Sequence, residues 1–190
     1  AERNCPDRRQ RWNVIEEATP MMREVLSKET AYIMTNMLQD VVDHGTGIRV
    51  RNYFHLPAAG KTGTTQDFAD SWFLGFTPQI VAGVWMGFDE KVVRLETWDF
   101  QGGRAAAPIW GRFMKYVYDD PEIGMPLEYF ERPEGVVEKT ICLDTKKLAT
   151  EFCPNKGIEI FNSKYLPGKC PKHTSLHWQE GEESRSNISF

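Results

Sequence analysis

Apolar side chains at Ile33, Met34, Met37, Leu38, Val41 and Val42 recur at the spacing of one helical face, and they predict a first helix. Ser27 suits its N-cap and Gly45 its C-terminal stop, so the methionines on the stripe are expected in a core. Two apolar runs follow, Trp72-Phe73-Leu74-Gly75-Phe76 and Ile80-Val81-Ala82-Gly83-Val84-Trp85-Met86, with Pro78 between them where a tight turn wants a fixed φ. Neither run alternates with polar residues, which predicts strands covered on both faces. Ile109, Trp110, Phe113, Met114 and Val117 return to helical spacing; Pro108 is tolerable in the first turn, and Asp119-Asp120-Pro121 ends the run. A further strand precedes the two apolar runs, so the order helix, strand, strand, strand, helix predicts an α+β fold, an antiparallel sheet flanked by helices.

From about residue 136 the character changes to short strand-like pieces, 136–141 and 158–161, separated by Gly, Pro and Asn. The chain is therefore divided into a main unit over residues 1–135, a small cysteine-containing β-rich extension over 136–178, and a polar, acidic, disordered tail over 179–190. Charge adds little: 23 basic against 27 acidic residues give a net −4. The one dense basic cluster, Arg8-Arg9-Gln10-Arg11, reads as a solvated segment, and nothing points to nucleic acid. Residues 71–88 carry no charge and are nearly long enough for a bilayer, but Thr77-Pro78-Gln79 and glycines at 75, 83 and 87 make this a strand pair rather than a membrane helix. The opening Ala1-Glu2-Arg3-Asn4 leads into charged sequence and does not read as a secretory leader.

The segment with chemistry in it is Lys61-Thr62-Gly63-Thr64. An acyl-transfer site needs a cation beside its nucleophile, hydroxyls for a substrate carboxylate, and a backbone N–H aimed at the developing oxyanion. One strand supplies all three if its middle residue has no side chain. A bare Lys-Thr-Gly triplet also suits an ordinary edge strand or loop; its neighbours decide. Ala59-Gly60-Lys61-Thr62-Gly63-Thr64-Thr65 resembles the third motif of class A penicillin-binding proteins. Leu38-Gln39-Asp40-Val41-Val42 with Gly45-Thr46-Gly47 resembles the helix and turn before that motif. The runs 70–78 and 82–87 resemble the last core strands, and Gly102-Gly103-Arg104-Ala105-Ala106-Ala107-Pro108-Ile109-Trp110 the start of the final helix. The resemblance extends over about residues 14–133.

It implies a serine-type D,D-transpeptidase that crosslinks peptidoglycan stem peptides through an acyl-enzyme and is acylated by β-lactams. The parent would be a bifunctional glycosyltransferase/transpeptidase held at the extracytoplasmic face of a bacterial membrane. By that resemblance Lys61 holds a positive field over the nucleophile, Thr62 and Thr64 bind the substrate carboxylate, the Thr64 N–H serves the oxyanion, and Gly63 and Thr65 complete the substrate-binding strand. The family also requires Ser-x-x-Lys and Ser-x-Asn. None of the serines, at 27, 71, 163, 175, 184, 186 and 189, has Lys three residues on or Asn two residues on. A missing N-terminal part of the same protein explains this, and the chain alone is expected to be inactive, with its exposed strands able to pair between copies. The rivals are a serine β-lactamase fragment and a non-catalytic peptidoglycan-binding module.

Neither a metal nor a cofactor is assigned. Cys142, Cys153, Cys170 and His173 are ligands of zinc type, but their spacing lacks two close pairs. Outside the cytoplasm a disulfide within this extension is the better reading, with free thiols the remaining alternative. His44, His55 and His177 receive no role; Trp72, Trp85, Trp98 and Trp110 are expected to pack around the sheet, and Trp98 and Phe100, in a loop near the cleft, are read as core or rim packing rather than as substrate contacts. Asp70 is expected to anchor the turn after the motif strand rather than to tune Lys61.

Overall fold

The computed structural model describes residues 23–65, 70–88 and 102–174. Helix α1 spans Lys28–Asp43, and its N-cap is Ser27, whose hydroxyl accepts the N–H of Thr30 at 3.2 Å. A 3₁₀ turn, Ile48–Asn52, follows. Strands β1 (Ala59–Thr64), β2 (Asp70–Phe76) and β3 (Val81–Gly87) form an antiparallel sheet in the order β1-β2-β3, pairing Gly63 with Trp72 and Trp72 with Trp85. The turn between β2 and β3 closes through Thr77 N–H to Ile80 O at 2.9 Å, with Pro78 in its second position as predicted. Helix α2 covers Ala106–Asp119 and ends at Asp120, whose extended ψ of 112° is what a following proline demands.

One face of this sheet carries the core. Phe73, Trp110, Met114, Val42, Val50 and Phe54 are buried together. Trp110 packs edge-on against Phe73 (centroids 5.5 Å) and Phe54 (5.9 Å), and its indole N–H reaches Ala82 O at 3.1 Å, so the buried polar edge of the ring is satisfied. On α2 the side chains at 110, 114 and 117 are buried, whereas Ile109 and Phe113 remain about half exposed.

The expectation of a sheet covered on both faces does not hold among the described residues. Trp72 is 42% exposed, Leu74 55% and Trp85 44%, because both helices pack on the Phe73 side. Trp72 and Trp85 lie against each other on the open face instead, with centroids 6.3 Å apart. Nor do Met34 and Met37 enter a core: they lie on the outer flank of the α1 stripe and are more than half exposed, whereas Val42 is fully buried.

Past α2 the chain forms a second antiparallel pair, β4 (Val136–Cys142) and β5 (Lys156–Asn162), which lies against α1. Its buried cluster consists of Cys142, Cys153 and Cys170 with Ala149 packed on them. Arg8 to Arg11, Cys5, Trp98, Phe100, His177 and the tail 179–190 lie outside the described residues.

Candidate functional site

β1 is the end strand of its sheet among the described residues, hydrogen-bonded to β2 alone. Its first residues, Ala59 and Gly60, are buried under Phe73, while Lys61 and Thr64 are exposed and Thr62 and Gly63 half-buried. The strand thus enters from the core and surfaces at the motif. The Lys61 ammonium donates to Thr62 O at 2.8 Å, which leaves two of its three N–H groups for another acceptor. The Thr62 hydroxyl lies 2.7 Å from that of Thr46, in the turn that ends α1. The Thr64 hydroxyl accepts the Gly102 N–H at 3.3 Å. Thr65 accepts the Asp70 N–H at 3.0 Å on its hydroxyl, and its own N–H reaches Asp70 O at 3.3 Å. The backbone of Asp70 thereby anchors the turn after the motif, while its carboxylate takes the Trp85 indole N–H at 2.8 Å rather than the Lys61 ammonium, which donates to Thr62 O.

Two further segments complete the surroundings, and neither was singled out from the sequence as part of the site. Gly102 and Gly103 lie flat on the motif strand: a Cβ on Gly102 would stand 2.4 Å from Trp72 O and 2.7 Å from Gly63 O. On Gly103 it would stand 2.0 Å from Thr46 O, far inside any real contact. The Gly-Gly pair was the available signal; its partner strand was not readable. Arg51 is the second addition. It pairs with Asp43 at the end of α1 (2.6 Å) and donates to the carbonyls of Phe54 (3.1 Å) and Leu56 (2.7 Å), fixing the approach of the chain to β1.

The family model described as the penicillin binding protein transpeptidase domain matches residues 7–115 of this chain. The chain belongs to that family. A second family model, the C-terminal domain of penicillin-binding protein 1A, matches residues 132–178. Penicillin-binding protein 1A of Pseudomonas aeruginosa is 39% identical over 153 residues, 80% of this chain and 18% of that protein. That of Aquifex aeolicus is 42% identical over 140 residues, 74% of this chain and 18% of that protein. The crystal structure of penicillin-binding protein 1A from Haemophilus influenzae superposes with a TM-score of 0.64 at 28% identity, over 75% of this chain and 21% of that one. The chain thus spans about a fifth of the length of the relatives it matches. The α+β fold expected from the order of elements is that of this transpeptidase segment. No helix among the described residues is long and apolar enough to cross a membrane.

In the part matching the C-terminal domain, the preference for a disulfide is corrected. Cys142, Cys153 and Cys170 are free thiols. Their sulfurs and a ring nitrogen of His173 all lie within 4.8 Å of one another. Burial pushes the Cys170 thiol up, but hydrogen bonds from the Thr145 side chain and the His173 and Lys172 backbone outweigh it and bring it down to about 7. Cys142 is lowered in the same manner, burial again opposing, by hydrogen bonds from Thr145 and Asp144. Spacing alone concealed this convergence, because Leu148 closes it: it bridges Ile141 on one side and Lys169 on the other.

Proposed function

We propose that this chain is the later portion of a D,D-transpeptidase domain, in which Lys61, Thr62, Gly63 and Thr64 form one wall of an acyl-transfer cleft for peptidoglycan stem peptides and β-lactams. The observation that carries this reading is the exposure of Lys61 and Thr64 on an end strand whose base is buried in the core. A substrate lying along β1 would meet the Lys61 ammonium, whose field favours both an ionised substrate carboxylate and a developing alkoxide. The hydroxyls of Thr62 and Thr64 would hydrogen-bond that carboxylate. Each already has one neighbour, Thr46 or Gly102, which fixes its rotamer without using up its capacity, since a hydroxyl can donate once and accept twice. The Thr64 N–H would serve the oxyanion. Gly63 keeps the strand free of a side chain where the substrate backbone passes. The Thr65 hydroxyl is held in the Asp70 turn and retains its own hydrogen for donation.

The attacking serine and its lysine, and the Ser-x-Asn proton relay, are not among these 190 residues. The chain alone therefore does not acylate. In the intact protein, at the extracytoplasmic face of a bacterial membrane, residues outside this chain supply the nucleophile, and residues 1–135 complete the transpeptidase domain to which 136–178 are appended.

A fluorescent penicillin tests this. The 190-residue chain is expected to show no covalent label, and the intact protein to be labelled. Lys61→Ala in the intact protein should slow acylation by about 10²–10³-fold, the effect of removing one group that stabilises the transition-state charge. Stoichiometric labelling of the isolated chain, or full-rate labelling of the Lys61→Ala protein, would refute it.

A further inference from the structure

We propose that Cys142, Cys153, Cys170 and His173 bind a structural zinc ion that holds the C-terminal extension together. The first argument is geometric. With Zn–S about 2.3 Å and Zn–N about 2.0 Å, a tetrahedral site separates a sulfur from a nitrogen by about 3.5 Å along each edge. Nδ1 of His173 lies 3.4 Å from Sγ of Cys142 and 3.4 Å from Sγ of Cys170, two such edges. A disulfide would join only two of the three sulfurs, at about 2.0 Å, and would leave a buried third thiol and a half-buried imidazole beside it without a purpose.

The second argument is the shell around those atoms. Nε2 of His173 lies 3.5 Å from Oδ2 of Asp144, which orients the ring and leaves Nδ1 to face the sulfurs, as a carboxylate behind a ligating histidine does. The sulfurs are met by donors. The Thr145 hydroxyl reaches Sγ of Cys170 at 3.3 Å, and the Thr150 N–H reaches Sγ of Cys153 at 3.3 Å. The Thr145 and Thr150 donors offset the negative charge that three thiolates concentrate on one cation. The tight turn after β4, with Lys146 in the left-handed region at φ 56°, is closed by the Lys146 N–H to Cys142 O at 2.8 Å. Three sulfurs and one imidazole nitrogen are the donor set of zinc rather than of magnesium or calcium.

The third argument is stability. A unit this small seldom holds itself by burial alone and needs a staple. Here the buried cluster is three of the four ligands with Ala149 against it, and the other buried apolar residues are Val136 and Ile141 on β4, while Ile158 on β5 is 74% exposed. That is little apolar packing to order two strands and the loops around them.

The test is elemental analysis of the chain, purified under reducing conditions, loaded with zinc and dialysed against metal-free buffer. One tightly held zinc per chain is expected, and cobalt(II) added to the metal-free chain should give the thiolate charge-transfer and intense d–d absorption of a tetrahedral site. Cys153→Ser and Cys170→Ser should abolish the bound metal, Cys5→Ser should retain it, and Asp144→Asn should weaken it by about 10–100-fold. Amide exchange provides a readout independent of the variants: chelation should expose β4 and β5 while β2 and β3 stay protected. Substoichiometric zinc after loading, zinc that survives Cys153→Ser and Cys170→Ser together, or a disulfide between any two of the three cysteines in protein isolated from its own compartment would each overturn the proposal.

Discussion

The two halves of this chain organise their interiors by different physics. Around β1, β2 and β3 the interior is a jigsaw of rings and aliphatic groups, with Trp110, Phe73 and Phe54 meeting edge to face. Around β4 and β5 it is a knot of three thiols and an imidazole. The first is non-directional and distributed, so it tolerates small changes and fails gradually as volume is lost. The second depends on four atoms meeting at one point, so it is all or nothing. The contrast explains why the packing of the first half was legible in the sequence, whereas in the second half the two strands and the four candidate ligands could be named but their meeting could not. Apolar periodicity announces a packed core over a dozen residues; convergence of 142, 153, 170 and 173 leaves no periodic trace.

The largest effect that would sharpen the contrast is Trp110→Ala. It empties the centre of the first core, strands Ala82 O, and should cost about 3–5 kcal/mol in urea unfolding. Amide exchange should accelerate in β2 and β3 more than in β4 and β5; equal acceleration would mean the halves unfold as one. Next is Arg51→Ala, which leaves Asp43 and two carbonyls without their partner and should cost about 2 kcal/mol by the same measurement. Arg51→Lys should recover only a part, because an ammonium lacks the planar fork. Gly102→Ala should cost about 1–3 kcal/mol, since its Cβ would collide with strand backbone rather than with a flexible side chain. It should also lower β-lactam acylation of the intact protein, by displacing the N–H that holds Thr64. The smallest is Ser71→Ala. Ser71 Oγ is buried and without a partner among the described residues, so its removal should change stability by less than about 0.5 kcal/mol or raise it slightly. A loss of more than about 1 kcal/mol would indicate a hydrogen bond from elsewhere in the chain.

Sequence reasoning located α1, α2, the turn at Pro78 and the strand bearing Lys61, each of which is announced locally by periodicity, capping or a fixed φ. It misjudged the sheet's open face because Trp72 and Leu74 look as apolar as Phe73, and only the placement of both helices on one side distinguishes them. It also missed the Thr46–Thr62 contact and the Arg51 clamp. Both join residues whose sequence separation carries no preferred geometry.

Helix α2 is attached to the sheet at three heights. At its start Gly102 accepts the Ala107 N–H and donates its own to Thr64; midway Trp110 grips Ala82; near its end the Tyr118 hydroxyl meets Gln79 at 2.6 Å and Thr77 at 2.8 Å. Fourteen residues of helix, about 21 Å, thereby act as a strut bolted to both margins of the sheet. Its length sets how far apart the β2–β3 turn and the motif strand stand, so a kink introduced near Arg112 would register at Thr64 without touching it.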